Sequence, residues 1–465
     1  MAERFPRQAA YREATPPTHE TDTAQKPRRI YIDCTSTYTT GLNTGIQRVV
    51  RGLVERERAI SQHAGIPCIP VIAFRGRYWP FSEKQRAWVQ DILTGSARSR
   101  KAARGRFGRF ERAVSALKER LHMPPGITTV SLNIVREAGS RMWWHQQSTT
   151  LLFAFRRLGV RPILPMAQDL LFIPDTFWGE YGQLAAAERL AAAGCAIVPV
   201  IHDIGPLTHP EYFPDFNARL FARGLVRMLG ISRGVLTVSR TAMSDVGHYC
   251  SQQGFGHIPL EYAYSGADIA QPSQGQTTSV RPGIVANCQA RPFLMVGTVE
   301  PRKGYHTALD AYDQYRQSGG KRPLVIIGRL GWKERDIVAR MQDVALSSGS
   351  IVFYSDASDT ELAALYEHAR ALIFASHYEG FGLPLVEAMH HGLPVIASDI
   401  PVFREVGEGY PAYFRVGDTQ DLCRALLEHD QAGVKDARPR RAWPTWDDAA
   451  PVYIDKALTL YAAAF

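Results

Sequence analysis

The sequence lacks any apolar run long enough to cross a lipid bilayer, which excludes an ordinary transmembrane helix. Its six cysteines lie far apart, so the spacings of zinc sites and redox pairs are missing and buried free thiols are expected. A repeat of fixed period is also missing, which argues against a solenoid or a propeller. Residues 1–28 are polar with scattered charge and prolines, unlike a signal peptide. We therefore expect a disordered tail over residues 1–28 and a cytoplasmic protein.

The composition is that of a large globular protein. The chain has 465 residues, too many for one ordinary core, so two domains are expected. Hydrophobic residues make up 45% and charged residues 21%, which are ordinary proportions for such a protein. The formal net charge of +9 favours anionic partners such as nucleotides, an acidic membrane surface or nucleic acid.

The most informative stretch of the sequence runs from Ala371 to Asp399. It begins with a short apolar run that predicts a buried strand, followed by the glycine-rich loop Glu379–Gly382. Pro384 suits the first turn of a helix, and Gly392 suits its end. A second apolar run, from Pro394 to Ser398, returns to the sheet. The pattern predicts a strand, a loop, a helix and a strand.

The glycine-rich loop has the chemistry of an anion site. Glycines let the backbone approach a ligand, and the start of the helix offers free N–H groups to a phosphate. Glu379 and Glu387 flank this position, and a diphosphate would repel them. They are better suited to accepting hydrogen bonds from hydroxyls, which a sugar nucleotide carries on both sides of its diphosphate. The alternative is an ordinary turn with two solvated glutamates.

The segment EGFGLPLVE resembles the E-x7-E signature of the retaining GT-B glycosyltransferases of family GT4. The resemblance is dense from about Pro292 to Asp418 and thinner over the N-terminal half. It implies a GT-B fold, in which two Rossmann-like, doubly wound parallel-sheet domains face each other across a cleft. It further implies that Glu379 faces the donor sugar and that Glu387 holds the ribose. The donor-binding residues of the loop would then be Glu379, Gly380, Phe381, Gly382, Leu383 and Glu387.

A second glycine-containing loop lies near the start of the chain. Residues 29–33 predict a strand, and the apolar spacing from Ile46 onward predicts a helix. Between them lie Gly41, Asn43 and Gly45, in a weak version of the phosphate-binding pattern. The resemblance implies that this loop approaches the donor phosphate through Gly45 and the acceptor through Gly41 and Asn43.

A histidine follows the apolar run Cys195–Ile201, which predicts a buried strand. The carboxyl end of a parallel strand is where α/β sheets bind ligands, so His202 and Asp203 are candidate site residues. The alternative is a capping or core histidine. The resemblance implies that His202 lies near the donor sugar and that Arg240, after a strand predicted at Arg233–Ser239, lies on the acceptor side.

Two cations, Arg302 and Lys303, follow another predicted strand. They are either surface residues or ligands of a diphosphate leaving group. The family places an arginine and a lysine here; Lys303 matches well, whereas Thr298 occupies the usual arginine position. Arg302 either replaces that arginine or points elsewhere. The resemblance also places the loop that carries Asp356 beside the nucleotide base.

A strongly basic segment covers residues 98–120, with nine Lys or Arg against two Glu, inside an expected insertion at about 96–125. Apolar residues at three- and four-residue spacing predict an amphipathic helix from Phe107 to Leu121. Three interpretations remain open for Arg98–Arg120: a solvated face, contact with the anionic inner membrane, and nucleic-acid binding. Nucleic acid is the least favoured, because no recognised binding motif accompanies the charge.

The predicted domains follow from composition and periodicity. We expect an N-terminal domain over 29–275, with a strand at Ile163–Leu171, and a C-terminal donor domain over 290–447. Residues 270–291 lack periodicity and are expected to form the boundary. The resemblance implies that a closing helix, at about 448–465, crosses back onto the first domain. The second half has apolar runs at Phe293–Val296, Leu324–Ile327, Ile351–Tyr354, Leu372–Ala375, Val395–Ala397 and Ala412–Phe414.

Together these features predict a retaining glycosyltransferase with no metal and no cofactor beyond its nucleotide-diphospho-sugar donor. The resemblance to bacterial mannosyl- and rhamnosyltransferases suggests a mannose-like hexose from GDP-mannose. The acceptor would be a saccharide or a lipid-linked saccharide of O-antigen or exopolysaccharide synthesis, reached by a cytoplasmic protein at the inner membrane. The alternatives are a GT-B sugar-nucleotide epimerase, a non-catalytic partner subunit that binds sugar nucleotides, and a nucleic-acid-binding protein.

Overall fold

The computed structural model describes residues 26–86, 89, 151–164, 166–179, 182–268, 280–348, 350–431 and 443–463. The predicted tail, the basic segment Arg98–Arg120 and its amphipathic helix lie almost wholly outside these residues. Among the helices of the described residues, none is both long and apolar enough to cross a membrane.

The first half of the chain builds a seven-stranded sheet in the order β3-β2-β1-β4-β5-β6-β7. All neighbouring strands are parallel except β3, which runs antiparallel to β2 at the edge. Strands β1 and β4 are buried along nearly their whole length, as expected when helices cover both faces. The strands are β1 (Arg29–Asp33), β2 (Cys68–Phe74), β3 (Arg77–Pro80), β4 (Asp169–Ile173), β5 (Ala196–Ile201), β6 (Val235–Thr237) and β7 (Leu260–Tyr262).

The second half builds a six-stranded, wholly parallel sheet in the order β10-β9-β8-β11-β12-β13. The six apolar runs identified in the sequence each form one of these strands. They are β8 (Phe293–Val296), β9 (Leu324–Ile327), β10 (Ile351–Tyr354), β11 (Ala371–Phe374), β12 (Val395–Ser398) and β13 (Ala412–Phe414).

Helices alternate with the strands on both sheets, as a doubly wound fold requires. In the first half they are α1 (Thr35–Thr40), α2 (Gly45–Val54), α3 (Glu57–Ala64), α4 (Gln183–Ala192), α5 (Gly205–Thr208), α6 (Asp215–Leu229) and α7 (Arg240–Gln252). In the second half they are α8 (Pro282–Ala290), α9 (Tyr305–Gln317), α10 (Arg335–Ser348), α11 (Asp359–His368), α12 (Leu383–His391), α13 (Pro401–Gly407), α14 (Thr419–Gln431) and α15 (Trp446–Ala462). Short 3-10 turns form at Pro210–Tyr212 and Pro301–Lys303.

Two sequence predictions about these elements are wrong. The strand predicted at Ile163–Leu171 is instead β4, at Asp169–Ile173, because Pro162 and Pro165 cannot donate backbone hydrogen bonds to a ladder. Part of the boundary predicted at 270–291 is the helix α8, which begins at Pro282 and packs against α11. Proline at the first turn of a helix costs no hydrogen bond, so its presence did not mark a linker here.

The edge strand β3 has no counterpart among the predictions. It joins β2 through the two-residue turn Arg75–Gly76, in which both residues have positive φ. Positive φ at both positions is the backbone geometry of a tight type I′ hairpin. Arginine is an unusual residue at such a position, so the dipeptide is a weak sequence signal.

The last helix, α15, returns to the first sheet. The indole of Trp446 lies over Gly52 of α2, where an added Cβ would come within 2.3 Å of the ring. At the other end, Leu460 lies over Gly234, where a Cβ would come within 2.8 Å of its side chain. The chain therefore crosses between the two sheets at two places, once before α8 and once before α15.

Candidate functional site

The loop between β11 and α12 is the centre of the candidate site. Gly382 adopts φ 106°, and its Cα lies so close to Phe403 that a Cβ would come within 2.9 Å of that ring. Pro384 occupies the first turn of α12, and Gly392 ends the helix with φ 72°. These features confirm the predicted loop and helix, and they place the free N–H groups of α12 at the carboxyl edge of the sheet.

Glu379 is buried in this loop and is surrounded by cations. Its side chain is 7% exposed, accepts a hydrogen bond from Ser376 Oγ at 2.7 Å, and pairs with Lys303 Nζ and with Arg302 Nη1 at 2.8 Å. Burial alone would raise the pKa of Glu379, but the charges of Arg302 and Lys303 lower it to about 2. Glu379 is therefore an ionised acceptor at neutral pH.

The two cations are aimed by a tight turn. Gly304 adopts φ 67°, and a Cβ there would lie 1.9 Å from the carbonyl oxygen of Ala375, so only glycine fits this contact. The turn carries Arg302 to Glu379 and also to Glu300, at 2.6 Å. Burial and the neighbouring arginine lower the pKa of Lys303. Arg302 and Lys303 therefore both lie beside the carboxylate of Glu379.

Glu387 lies on the second turn of α12 and is 3% exposed. One of its oxygens accepts a hydrogen bond from Tyr366 Oη at 2.8 Å, and the other pairs with Arg48. Arg48 comes from α2, on the first sheet, and also reaches Asp359 at 3.3 Å. Sequence reasoning missed Arg48, since nothing local links two residues 339 positions apart.

The strand ends of the first sheet contact the loop between β11 and α12. A Cβ on Gly380 would lie 2.0 Å from the carbonyl oxygen of His202, and Ser239 Oγ donates to the carbonyl of Gly380 at 2.7 Å. His202 Nε2 donates to the carbonyl of Pro174 at 2.8 Å, and burial lowers the pKa of the imidazole. His202 is therefore a neutral ring whose Nδ1 carries the lone pair.

The other predicted residues of the first half lie along the same boundary. Gly45 approaches Leu383, with 3.8 Å from an added Cβ to its Cδ1, and Asn43 Nδ2 reaches Asp359 at 3.4 Å. Gly41 ends α1 with φ 62°. Asp203 Oδ1 accepts the N–H of Gly205 at 2.9 Å, which fixes the turn after β5. These contacts bring the loop that carries Gly41, Asn43 and Gly45 against the helices α11 and α12.

Three predicted residues make contacts with groups other than Glu379. The guanidinium of Arg240 donates to Tyr262 Oη at 3.1 Å. Asp356 is 73% exposed and pairs with Arg281 at 3.0 Å. Thr298 contacts the segment at Gly331, where a Cβ would come within 2.7 Å of its methyl group.

A carboxylate of the second half caps a helix of the first. Glu405, on α13, accepts the backbone N–H groups of Arg240 at 2.7 Å and Thr241 at 2.8 Å. It also accepts the hydroxyls of Thr241 and Tyr264, at 2.5 Å and 2.9 Å. Negative charge is stabilising at the start of a helix, so this contact favours the closed arrangement of the two sheets.

A cavity of about 490 Å³ lies between α2, α11, α12 and the start of α15. Arg48, Glu55, Asp359, Glu387 and Trp446 are among its lining residues. Glu387 forms part of its wall, and the cavity supplies room for a polar ligand between the two sheets. Within the described ranges, no group of three or more His, Cys, Asp or Glu is arranged to hold a metal ion.

A buried pair of aspartates holds the start of α1, the helix that leads into the loop carrying Gly41, Asn43 and Gly45. Asp33, at the end of β1, accepts hydrogen bonds from Thr35 and Tyr78, and Asp175, after β4, accepts the N–H of Thr37 at 2.7 Å. Burial raises the pKa of Asp33 to about 6 and, with the charge of Asp33, that of Asp175 to about 7. Both pKa values lie above the ordinary value of an unfolded chain, so the folded protein binds more protons between about pH 4 and 7.

We expect Asp175→Asn to flatten the pH dependence of stability in this window. In the unaltered protein, each such group lowers the free energy of unfolding by about 1.4 kcal/mol per pH unit as the pH rises toward its folded pKa. Urea unfolding at several pH values checks this, with Asp336→Asn, at an exposed position in the first turn of α10, as the control. An unchanged slope in Asp175→Asn would show that this carboxyl titrates alike in both states.

Comparisons with known proteins show which proteins this chain resembles. Residues 281–420 match the family described as glycosyl transferases group 1. The serotype-specific mannosyltransferase WbdA of Escherichia coli is 32% identical over 300 residues, which are 62% of this chain and 37% of that protein. The E. coli O-antigen chain mannosyltransferase B is 31% identical over 210 residues, 45% of this chain and 54% of that protein. The D-rhamnosyltransferase WbpZ of Pseudomonas aeruginosa is 35% identical over 165 residues, 33% of this chain and 40% of that protein. This chain therefore spans only about a third to a half of these relatives.

Solved structures agree in fold. The N-terminal domain of Candida albicans trehalose-6-phosphate phosphatase has a TM-score of 0.56 and 13% identity, over 94% of this chain and 97% of that one. HepE of Anabaena, in complex with UDP and glucose, has a TM-score of 0.51 and 15% identity over the same shares. With the two doubly wound parallel sheets, this likeness confirms the predicted GT-B fold.

Proposed function

We propose that this chain is a retaining glycosyltransferase. The premise is the match of residues 281–420 to the glycosyl transferases of group 1. The enzyme moves a hexose from a nucleotide-diphospho-sugar, held mainly by the second domain, to an acceptor on the first. The observation that carries the proposal is the cluster that the buried Glu379 forms with the half-buried Arg302 and Lys303 beside the start of α12.

The cluster suits the breaking of the bond between the anomeric carbon and the diphosphate. Negative charge builds on the leaving oxygen as that bond lengthens, and fixed cations stabilise it more in the transition state than in the bound donor. Lys303, Arg302 and the N–H groups at Gly380–Leu383 supply this stabilisation. The diphosphate would repel the carboxylate of Glu379, which therefore serves the sugar hydroxyls.

His202 completes the sugar side of the site. Its Nε2–H is engaged by Pro174, so Nδ1 is the ring atom that accepts a hydrogen bond from a sugar hydroxyl. Because burial lowers the pKa of His202, the ring adds no positive charge that would oppose an oxocarbenium-like sugar. Retention then follows if the acceptor attacks from the face that the diphosphate leaves. Gly41, Asn43, Asp203 and Arg240 are assigned to the acceptor side.

For the substrates, we propose a mannose-like hexose from GDP-mannose. The support is that relatives of this chain are named mannosyltransferases, among them two of E. coli. The proposed acceptor is a saccharide or lipid-linked saccharide of O-antigen or exopolysaccharide synthesis, at the cytoplasmic face of the inner membrane. The basic segment Arg98–Arg120 is the proposed membrane contact, and it lies outside the described residues.

A thermal-shift panel of GDP-, UDP- and dTDP-sugars tests the donor site. A ligand at a hundredfold over its dissociation constant stabilises the folded protein by about 2.7 kcal/mol, which is a visible shift of the melting temperature. We expect one nucleotide class to shift the unaltered protein and a much smaller shift in Glu387→Ala, which removes the proposed ribose ligand.

Asp430→Ala is a matched control for that variant. Asp430 also bonds one arginine and one tyrosine, Arg322 and Tyr315, but it lies on α14, away from the cleft. The control should keep the full nucleotide response. A panel in which no sugar nucleotide shifts the unaltered protein would contradict the proposal.

A further inference from the structure

Arg48 is a residue of the first domain that bonds to two carboxylates of the second. It lies on the first turn of α2, and its guanidinium donates to Glu387 on α12 and to Asp359 on α11. Its side chain is only 19% exposed, and Asn43 adds a second contact to Asp359. One guanidinium therefore bridges two carboxylates of the other domain.

Both oxygens of Glu387 are already in use in this arrangement. Tyr366 holds one of them from α11, within the second domain, and Arg48 holds the other from across the cleft. Glu387 is only 3% exposed behind these two donors, so a ribose diol reaches its carboxylate only when one of the two side chains moves aside. Tyr366 is fully buried and fixed by its own helix, so Arg48 is the donor that leaves.

The cavity of about 490 Å³ lies at the same contact, with Arg48, Asp359 and Glu387 in its wall. Because Arg48 and Glu387 both line this cavity, a nucleoside that occupies it lies against the bridge between them. Withdrawal of Arg48 removes a charged contact between the domains, while the contacts of Glu405, Ser239 and Tyr378 with the opposite domain remain. The ribose of the donor and the guanidinium of Arg48 thereby compete for the carboxylate of Glu387. Binding of the ribose therefore opposes closure of the cleft.

We propose that Arg48 is a positioning residue that closes the unliganded cleft through Glu387 and Asp359 and is displaced by the ribose of the donor. The assignment rests on the proposed function, because it takes Glu387 as the ribose ligand. It adds that the affinity for nucleotide is set partly by a residue of the opposite domain.

Arg48→Gln tests this with GDP, UDP and dTDP as probes in calorimetry. Removing the competing guanidinium should lower the dissociation constant of the nucleotide that binds by about tenfold, an ordinary coupling for residues in contact. The unliganded variant should also show a larger radius of gyration in solution scattering. Arg340→Gln is the matched control, since Arg340 bridges Asp310 and Asp313 within the second domain at 2.7 and 3.1 Å; it should change neither quantity.

A double-mutant cycle of Arg48→Gln and Glu387→Gln, measured by urea unfolding without nucleotide, tests the bridge independently of donor binding. We expect clear coupling between the two substitutions. Absence of coupling, or an unchanged or weakened nucleotide affinity in Arg48→Gln, would overturn the inference. Coupling in a protein that binds none of GDP, UDP and dTDP would support the bridge and overturn the proposed function instead.

Discussion

Lys303→Met is expected to lower the rate of nucleoside diphosphate release by about 10²–10³-fold, the usual cost of removing one group that stabilises a developing anion. Methionine keeps the length of the side chain and removes the charge that pairs with Glu379. The loss should fall mainly on kcat, because the cation acts most strongly on the charge that builds as the bond breaks. Initial rates over a range of donor concentrations separate kcat from KM.

Lys456→Met is the control for charge removal. Lys456 also pairs with one glutamate, Glu261, at 2.8 Å, but it lies on α15 against β7. The Lys456→Met variant should release nucleoside diphosphate at nearly the rate of the unaltered protein. A Lys303→Met rate within about threefold of the unaltered protein would remove Lys303 from the mechanism, given the size of effect expected for such a group.

Gly380→Ala is expected to abolish productive closure of the two domains. An added Cβ would lie 2.0 Å from the carbonyl oxygen of His202, and backbone cannot move aside as a side chain can. Either the loop withdraws from the first domain or the cleft stays open, and Glu379 then loses its position opposite His202. We expect a fall in kcat/KM of at least about 10²-fold, the effect of misplacing reacting groups by about an ångström.

Gly230→Ala is the control for this substitution. Gly230 has ordinary helical φ, and the nearest atoms to an added Cβ lie at 3.5 Å. Circular dichroism should show both variants folded, while solution scattering should show only Gly380→Ala enlarged. Full activity in Gly380→Ala would mean that this contact is absent during turnover.

The local part of the site could be predicted from sequence because its information is local. Glycine at 382 and 392, proline at 384 and an apolar run on each side dictate a strand, a loop and a helix without reference to the rest of the chain. The six strands of the second sheet were predicted to within about one residue for the same reason, because buried parallel strands are short apolar runs.

The contacts between the domains could not be predicted in this way. Arg48 and Glu387 are ordinary helix residues in their own segments, and their pairing exists only once two helices face each other across the cleft. The same holds for Glu405, which caps a helix that begins 165 residues earlier. Asp33 and Asp175 do carry a weak signal, since each ends or follows a buried strand, but their shared network depends on the order of strands in the sheet.

The position of Arg302 depends on packing that the sequence does not show. The sequence left open whether this side chain meets the diphosphate site. The contact of Gly304 with the carbonyl of Ala375 holds the turn against β11, and that contact turns Arg302 toward Glu379. Its role in catalysis stays a prediction, tied to that of Lys303.

The central claim, transfer with retention, is tested most directly by following donor cleavage in water by proton NMR. GDP-mannose, UDP-glucose and a dTDP-sugar are each incubated with the unaltered protein, with Lys303→Met as the background. For one α-linked donor, the account predicts release of the nucleoside diphosphate and of a sugar that appears first as the α anomer with its C2 configuration unchanged. A sugar that appears first as the β anomer would contradict retention, and an epimerised C2 would indicate an epimerase. Cleavage no faster than in Lys303→Met would contradict the transferase itself.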